Sequence, residues 1–213
     1  MQTPIERVQT AIHDLKMGKM IILTDDKNRE NEGDLIIAAE KITAEAMNFM
    51  IRQGTGIVCI SLTNEKIRQL DLPQMVAVNE NSSLRGTPFT VSVDARKGIT
   101  TGVSAADRTQ TIHAIMHSQA KPNDLVRPGH IFPLLAQEGG VFSRQGHTEG
   151  ANDIVNLAGF TPAAVLCEIM NPDGSMAQGQ QLIDFANQHQ LTCLSIEDKP
   201  YPLFADWPIG LKM

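Results

Sequence analysis

Two apolar runs, Met20-Ile21-Ile22-Leu23 and Leu35-Ile36-Ile37-Ala38-Ala39, flank a ten-residue segment, Asp25 to Asp34, that carries five carboxylates and two cations. Short continuous apolar runs read as strands. The charge is therefore concentrated on one connection, held from both sides by rigid elements. A solvated turn needs one or two polar residues, whereas carboxylates at this density repel one another unless a cation relieves them. A calcium loop of the EF-hand type fails on register. Counting from Asn28 puts oxygen donors at Asn28, Glu30 and Glu32 and Gly33 at the sixth position, but Ala39 stands where a bidentate Glu is required. The strand-like flanks exclude it as well.

The remaining pattern points to a single α/β or α+β domain with a mixed sheet and helices packed on it. Ile5, Val8, Ile12 and Leu15 recur at helical spacing before a strand at 20–24. Thr43 to Gln53 reads as a helix capped by Thr43 and stopped by Gly54. Ile57 to Leu62 and Phe89 to Val93 read as strands, and Ser104 with Asp107 as a capping box opening a helix to about Ser118. Ile131 to Ala136 and Ala163 to Met170 are strand candidates. His147 to Leu157 is a helix closed by Gly159, Asn171 to Gly174 a turn, 178–188 a helix and Leu191 to Ile196 a last strand. Some strand pairs are joined by connections too short for a crossover, which makes the sheet mixed.

Composition narrows the class. A chain of 213 residues with 42% hydrophobic content can bury a substantial core. A net charge of −6 argues against nucleic acid, because phosphate binding needs a basic face. No apolar run approaches the roughly 20 residues of a membrane span, and Met1 to Glu6 lacks the regions of a signal peptide. Cys59, Cys167 and Cys193 lie far apart without a C-x-x-C pair, each in an apolar strand-like run. They read as reduced thiols of a cytoplasmic protein, which argues against structural zinc.

Three further loops are polar beyond structural need: Gly98 to Arg108, Arg127-Pro128-Gly129-His130, and Arg144-Gln145-Gly146-His147-Thr148-Glu149. In the last, a Gly allows close approach to a ligand and the following helix offers unpaired N–H groups. An Arg and a Thr hydroxyl beside that end suit a phosphate, while as structure alone Thr148 is a cap and Arg144 a solvated charge. His147 with the acidic loop suggests a mixed His/carboxylate site for Mg²⁺ or Mn²⁺. His13, His113, His117 and His189 fall in helices and read as packed or exposed. His130 follows a Pro-Gly turn and begins a strand. Glu168 lies within an apolar strand, where a carboxylate is either an outward-facing edge residue or a group with a raised pKa suited to proton transfer.

Together these segments resemble the 3,4-dihydroxy-2-butanone 4-phosphate synthase family of riboflavin biosynthesis, over residues 5–198. The likeness is carried by Asp25 to Asp34, Gly56 to Cys59, Thr100 to Arg108, Arg127 to Leu134, Arg144 to Glu149 and Leu166 to Glu168, six blocks in the family's order. The resemblance implies a homodimer of three-layer α/β fold with its active site near the subunit boundary. It implies conversion of D-ribulose 5-phosphate to L-3,4-dihydroxybutan-2-one 4-phosphate and formate, with Mg²⁺ or Mn²⁺, two ions per site, and no organic cofactor. Glu30 and His147 would hold metal. Arg29, Glu30, Asp34, Thr101, Asp107 and Glu168 would contact substrate, with Arg144, Gln145, Gly146, His147 and Thr148 around its phosphate. His130 and Glu168 match positions essential for catalysis, and Glu32, Asp34 and Cys59 are placed with them. The chain departs from the family at Gln145, where a second Gly is usual, and loosely over 81–89. The tail 201–213, with Trp207, has no match, and no fused GTP cyclohydrolase II domain is expected. A different metal-dependent sugar-phosphate isomerase or aldolase, or a catalytically inactive relative, remains an alternative.

Overall fold

Seven strands form one mixed sheet in the order β4-β5-β3-β6-β2-β1-β7. The structure, a computed structural model, describes residues 3–198, so the tail 201–213 lies outside the described residues. The strands are β1 Ile21–Thr24, β2 Gly33–Ala38, β3 Cys59–Leu62, β4 Val93–Ala95, β5 Leu125–Leu135, β6 Ala163–Glu168 and β7 Thr192–Ser195. β1 pairs β7 in parallel and β3 pairs β5 in parallel, whereas β1–β2, β2–β6, β3–β6 and β4–β5 are antiparallel. The mixed sheet expected from the short connections is therefore present.

The apolar strands alternate between two cores, as a period of two dictates. Ile22, Leu35, Ile37, Ile60, Val165 and Cys167 face one side, where they meet Met47 of α2 (Ala44–Phe49), Ile112 and Ile115 of α4 (Ala105–Met116), and Leu182 and Ala186 of α6 (Gln180–His189). Ile21, Leu23, Ile36, Ala38, Cys59 and Leu166 face the other, against Val8, Ala11 and Leu15 of α1 (Pro4–Lys16) and Ala151, Ile154 and Val155 of α5 (His147–Leu157). Helices cover both faces, giving three layers.

Several elements differ from the sequence reading. The expected strand at Phe89 to Val93 is displaced to Val93–Ala95, leaving Phe89 and Thr90 in isolated bridges. Thr90 donates to the carbonyl of Pro133 at 2.9 Å, and Pro133 has no N–H to return. β5 begins six residues before Ile131, because Arg127 to His130 is a bulge rather than a turn ahead of the strand. Val93 pairs with Ile131, but the next residue, Asp94, pairs with Val126. The helix from Thr43 is α-helical only to Phe49 and then widens into a π turn, Met50–Gly54, closed by Thr55 in the left-handed region with φ 67°. A short helix α3, Asn64–Gln69, capped by Thr63, went unanticipated. The capping box at Ser104 is half made: Ser104 accepts from the Asp107 N–H at 3.1 Å, but the Asp107 carboxylate turns to Thr100 and Gly102.

On α5, Asp153 accepts from the Val141 N–H at 2.9 Å, and burial pushes its carboxyl up to about 6. The unfolded chain releases this proton near pH 4 and the folded protein only near 6, so the group's contribution to stability falls as pH rises between the two. Asp153→Asn keeps an acceptor for Val141 and removes the charge. It is expected to stabilise the protein at pH 8 by about 2–3 kcal/mol and to leave it unchanged at pH 4, as read by thermal melts at both.

Candidate active site

The charged loop, the first turn of α5 and the ends of β2 and β6 converge on one open cleft of about 700 Å³, solvent at its mouth included. Arg29, Glu30, Glu32, Asp34, Cys59, Arg144, His147, Thr148 and Glu168 line it, joined by Thr87, Phe89, Leu134 and Leu166. The strands explain the convergence. Asp34 and Glu168 are register partners across β2 and β6, so their carboxylates leave neighbouring strands at the same end. On β3, Ser61 donates to the Thr148 carbonyl at 2.8 Å and accepts from Asn152 at 3.0 Å, which seats the start of α5 over the sheet.

The loop is organised by Asp25, a residue the sequence reading left without a role. Its side chain is fully buried and accepts from Arg29 at 2.7 Å, from the Glu30 N–H at 3.1 Å and from the Glu32 N–H at 2.9 Å. Arg29 also bonds Glu30 at 2.6 Å, and the Arg85 guanidinium, from the segment 81–89, donates to the Arg29 carbonyl. A carboxylate that accepts two N–H groups of its own loop sets the loop's shape. The signal in sequence was its place as the first polar residue after β1.

Asp25, Glu30 and His147 each bring one possible ligand atom within 4.8 Å of the others. His147 Nδ1 lies 3.5 Å from Glu30, and its Nε2 lies 4.0 Å from Asp25 Oδ1, too long for a hydrogen bond. That Nε2 and Asp34 Oδ1 are buried polar atoms without a hydrogen-bond partner among the described residues. Such atoms are rare and call for an ion or water. One imidazole among carboxylates is a donor set that fits Mn²⁺ or Mg²⁺. Without an ion the charges of the cluster compensate one another, and a metal would displace the imidazole proton. The bond to His147, then the Arg29 charge, hold Glu30 down to about 2 against the effect of burial. Burial pulls His147 down, but Asp34, Glu30 and Asp25 outweigh it and hold the imidazole up to about 9. Asp34 is raised, first by burial and then by its carboxylate neighbours, and Glu32 is raised for the same reasons.

The sequence-derived site residues divide into three groups. The cleft-lining group above includes most of them. Gln145 is exposed, and Gly146 is the N-cap of α5, where no side chain caps the helix; neither lines the cleft. Thr101, Asp107 and His130 do not line it either. Asp107 and His130 belong to a second cluster, in which Asp107 accepts from the Thr100 N–H, the Thr100 hydroxyl and the Gly102 N–H, and His130 pairs with Asp94, with Thr101 exposed on the same loop. One reading needs correction. Arg144 is not a free charge on an exposed loop: it bonds the fully buried Glu149 carboxylate at 2.7 Å. Cys59 is buried, and burial with the Glu168 and Asp34 charges raises its thiol well above the usual range, so it enters the cleft as a neutral apolar group rather than a thiolate.

The sequence model of 3,4-dihydroxy-2-butanone 4-phosphate synthase matches residues 9–199. The chain belongs to this family. A 3,4-dihydroxy-2-butanone 4-phosphate synthase of Shewanella woodyi is 57% identical over 92% of this chain and 89% of its own length. A solved 3,4-dihydroxy-2-butanone 4-phosphate synthase in complex with two magnesium ions superposes with a TM-score of 0.87 at 39% identity, covering 97% of this chain and 98% of that one. A two-domain 3,4-dihydroxy-2-butanone 4-phosphate synthase from A. baumannii superposes with a TM-score of 0.88 at 46% identity; this chain spans 59% of its length. Among the described residues no helix is long and apolar enough to cross a membrane.

Proposed function

We propose that the protein converts D-ribulose 5-phosphate to L-3,4-dihydroxybutan-2-one 4-phosphate and formate, a step of riboflavin biosynthesis, with Mg²⁺ or Mn²⁺, two ions per site. The observation that carries this reading is the convergence of Asp25, Glu30 and His147 on one point beside the Asp34–Glu168 carboxylate pair. Asp25, Glu30 and His147 would hold metal, which when bound supplies a Lewis acid for the oxygens of an enediolate. Asp34 and Glu168 face the same cleft from adjacent strands. One carboxylate can take the proton beside the ketone while the other delivers a proton to the departing hydroxyl. Arg144, Thr148 and the N–H groups opening α5 offer donors and a positive dipole end to the substrate phosphate. Cys59, Leu134, Leu166 and Phe89 supply an apolar wall that limits water. No organic cofactor is needed by this chemistry.

The same reading makes the protein a cytoplasmic homodimer acting on a small sugar phosphate, with neither nucleic acid nor membrane as partner. The separate cluster of Thr101, Asp107 and His130 supports it, since a second copy would allow that cluster to serve a cleft it does not line in its own chain. Exposed Val76, Val78, Leu84 and Val103 provide apolar surface for such contact. Incubation with ribulose 5-phosphate and Mg²⁺ should release formate. Release of none, or an isomer or aldol fragments instead, would defeat the assignment. Sedimentation at micromolar concentration is expected to give a dimer, and a monomer alone would refute that part.

Arg144→Ala is expected to raise KM for ribulose 5-phosphate about ten- to a hundredfold through loss of a charge-assisted phosphate contact. Because the guanidinium also neutralises buried Glu149, the variant should lose about 3 kcal/mol of stability as well. Adding Glu149→Gln separates the two effects: melting temperature recovers while KM stays high. An unchanged KM in both variants would remove Arg144 from the phosphate site.

A further inference from the structure

We propose that Asp94 is a positioning residue that holds His130 in the tautomer protonated on Nδ1, leaving the Nε2 lone pair free to accept a proton. The proposal rests on the reading of His130 as a catalytic residue.

Both oxygens of Asp94 are committed to one residue. Oδ1 accepts the backbone N–H of His130 at 2.9 Å, and Oδ2 lies 2.7 Å from His130 Nδ1. The carboxylate is nearly inaccessible, with 7% of its side chain exposed, while the imidazole is 41% exposed. The pair thus has a buried anchor and an outward working end. A neutral imidazole facing a carboxylate through Nδ1 must carry its proton there, since a carboxylate can only accept. Nε2 is then the basic atom, and the anion compensates the imidazolium that forms when it takes a proton.

The fold builds this pair rather than permitting it. The register jump at Val93/Asp94 pairs Val93 with Ile131 and Asp94 with Val126, so Arg127 to His130 loop out of the ladder beside Asp94. Gly129 passes so close to the backbone of Val93 and Asp94 that a Cβ there would collide with it. Gly102, with φ +92°, packs over the dyad, and a Cβ there would strike both the Asp94 carboxylate and the His130 ring. The Asp107 carboxylate fixes that glycine by accepting its N–H at 3.0 Å. Backbone is therefore packed onto the dyad from two loops.

The geometry predicts an inversion in Asp94→Asn. The amide oxygen must keep accepting the His130 backbone N–H, which turns the NH₂ toward Nδ1. Nδ1 then becomes an acceptor and the ring proton moves to Nε2, blocking the base. A merely structural pair would also invert its tautomer but would leave kcat unchanged at retained melting temperature.

The test combines long-range ¹H–¹⁵N spectra of the side chain, assigned by loss of its signals in His130→Ala, with formate kinetics. The parent should show Nδ1–H when the ring is neutral, and Asp94→Asn should show Nε2–H. With melting temperature retained, kcat should fall about 10²- to 10⁴-fold with KM changed less than about threefold. Asp94→Asn/His130→Ala should be no slower than His130→Ala alone. Nε2–H in the parent would overturn the proposal, whether or not Asp94→Asn folds. So would retention of Nδ1–H in Asp94→Asn, or further slowing of the His130→Ala background. A parent with the Nδ1–H tautomer that releases no formate would instead support the dyad and refute the reaction.

Discussion

Glu30→Gln or His147→Ala should each abolish formate release and sharply weaken Mn²⁺ binding, and the double variant should be scarcely worse than either single one. The two residues lie far apart in sequence, yet their side chains meet at 3.5 Å with Asp25 beside them. Residues that act through one ion fail together, so their effects do not add. Without metal the two variants should differ in stability. Glu30→Gln leaves Arg29 paired with Asp25 at 2.7 Å and should melt close to the parent. His147→Ala removes the cation among Asp25, Glu30 and Asp34 and should melt lower at neutral pH. Mn²⁺ titration by calorimetry reads the binding independently of turnover. Intact Mn²⁺ affinity and formate release in both single variants would show that metal sits elsewhere or is not required.

Glu168→Gln is expected to lower kcat by about 10³-fold while Mn²⁺ affinity and melting temperature stay near parental. The carboxylate accepts the Ile57 N–H through Oε2 at 2.8 Å, and the amide oxygen of Gln can keep that bond. What is lost is the ability to take and return a proton in the cleft, where Glu168 faces Asp34 from the next strand. Single-turnover formate measurements separate this from product release. A kcat within tenfold of the parent would assign the proton transfer to Asp34 or Glu32 instead.

Much of the site was legible because its carriers are local patterns. The helix His147–Leu157 was bounded correctly with Gly159 as its stop, and the seven charged residues among the ten after β1 marked a site before any contact was known. Roles that depend on a distant partner were not legible. Arg144 read as a phosphate contact, or failing that a solvated charge, because nothing in its own loop shows that Glu149 turns back into the core to pair with it. Cys59 read as a site residue and lines the cleft, but neighbouring residues do not reveal that burial, with Glu168 and Asp34, would oppose its ionisation.

The same division runs through the fold. Apolar periodicity, caps and glycine stops determine which segments become strands and helices, since each acts within a few residues. They placed β1, β2, β6, β7 and α1, and required a mixed sheet. Where Pro133 interrupts a ladder, where four residues bulge at Arg127 to His130, and which carboxylate meets which imidazole are decided by strand register. Register follows from packing two cores at once on a sheet buried on both faces, a condition satisfied only when the whole chain is in place.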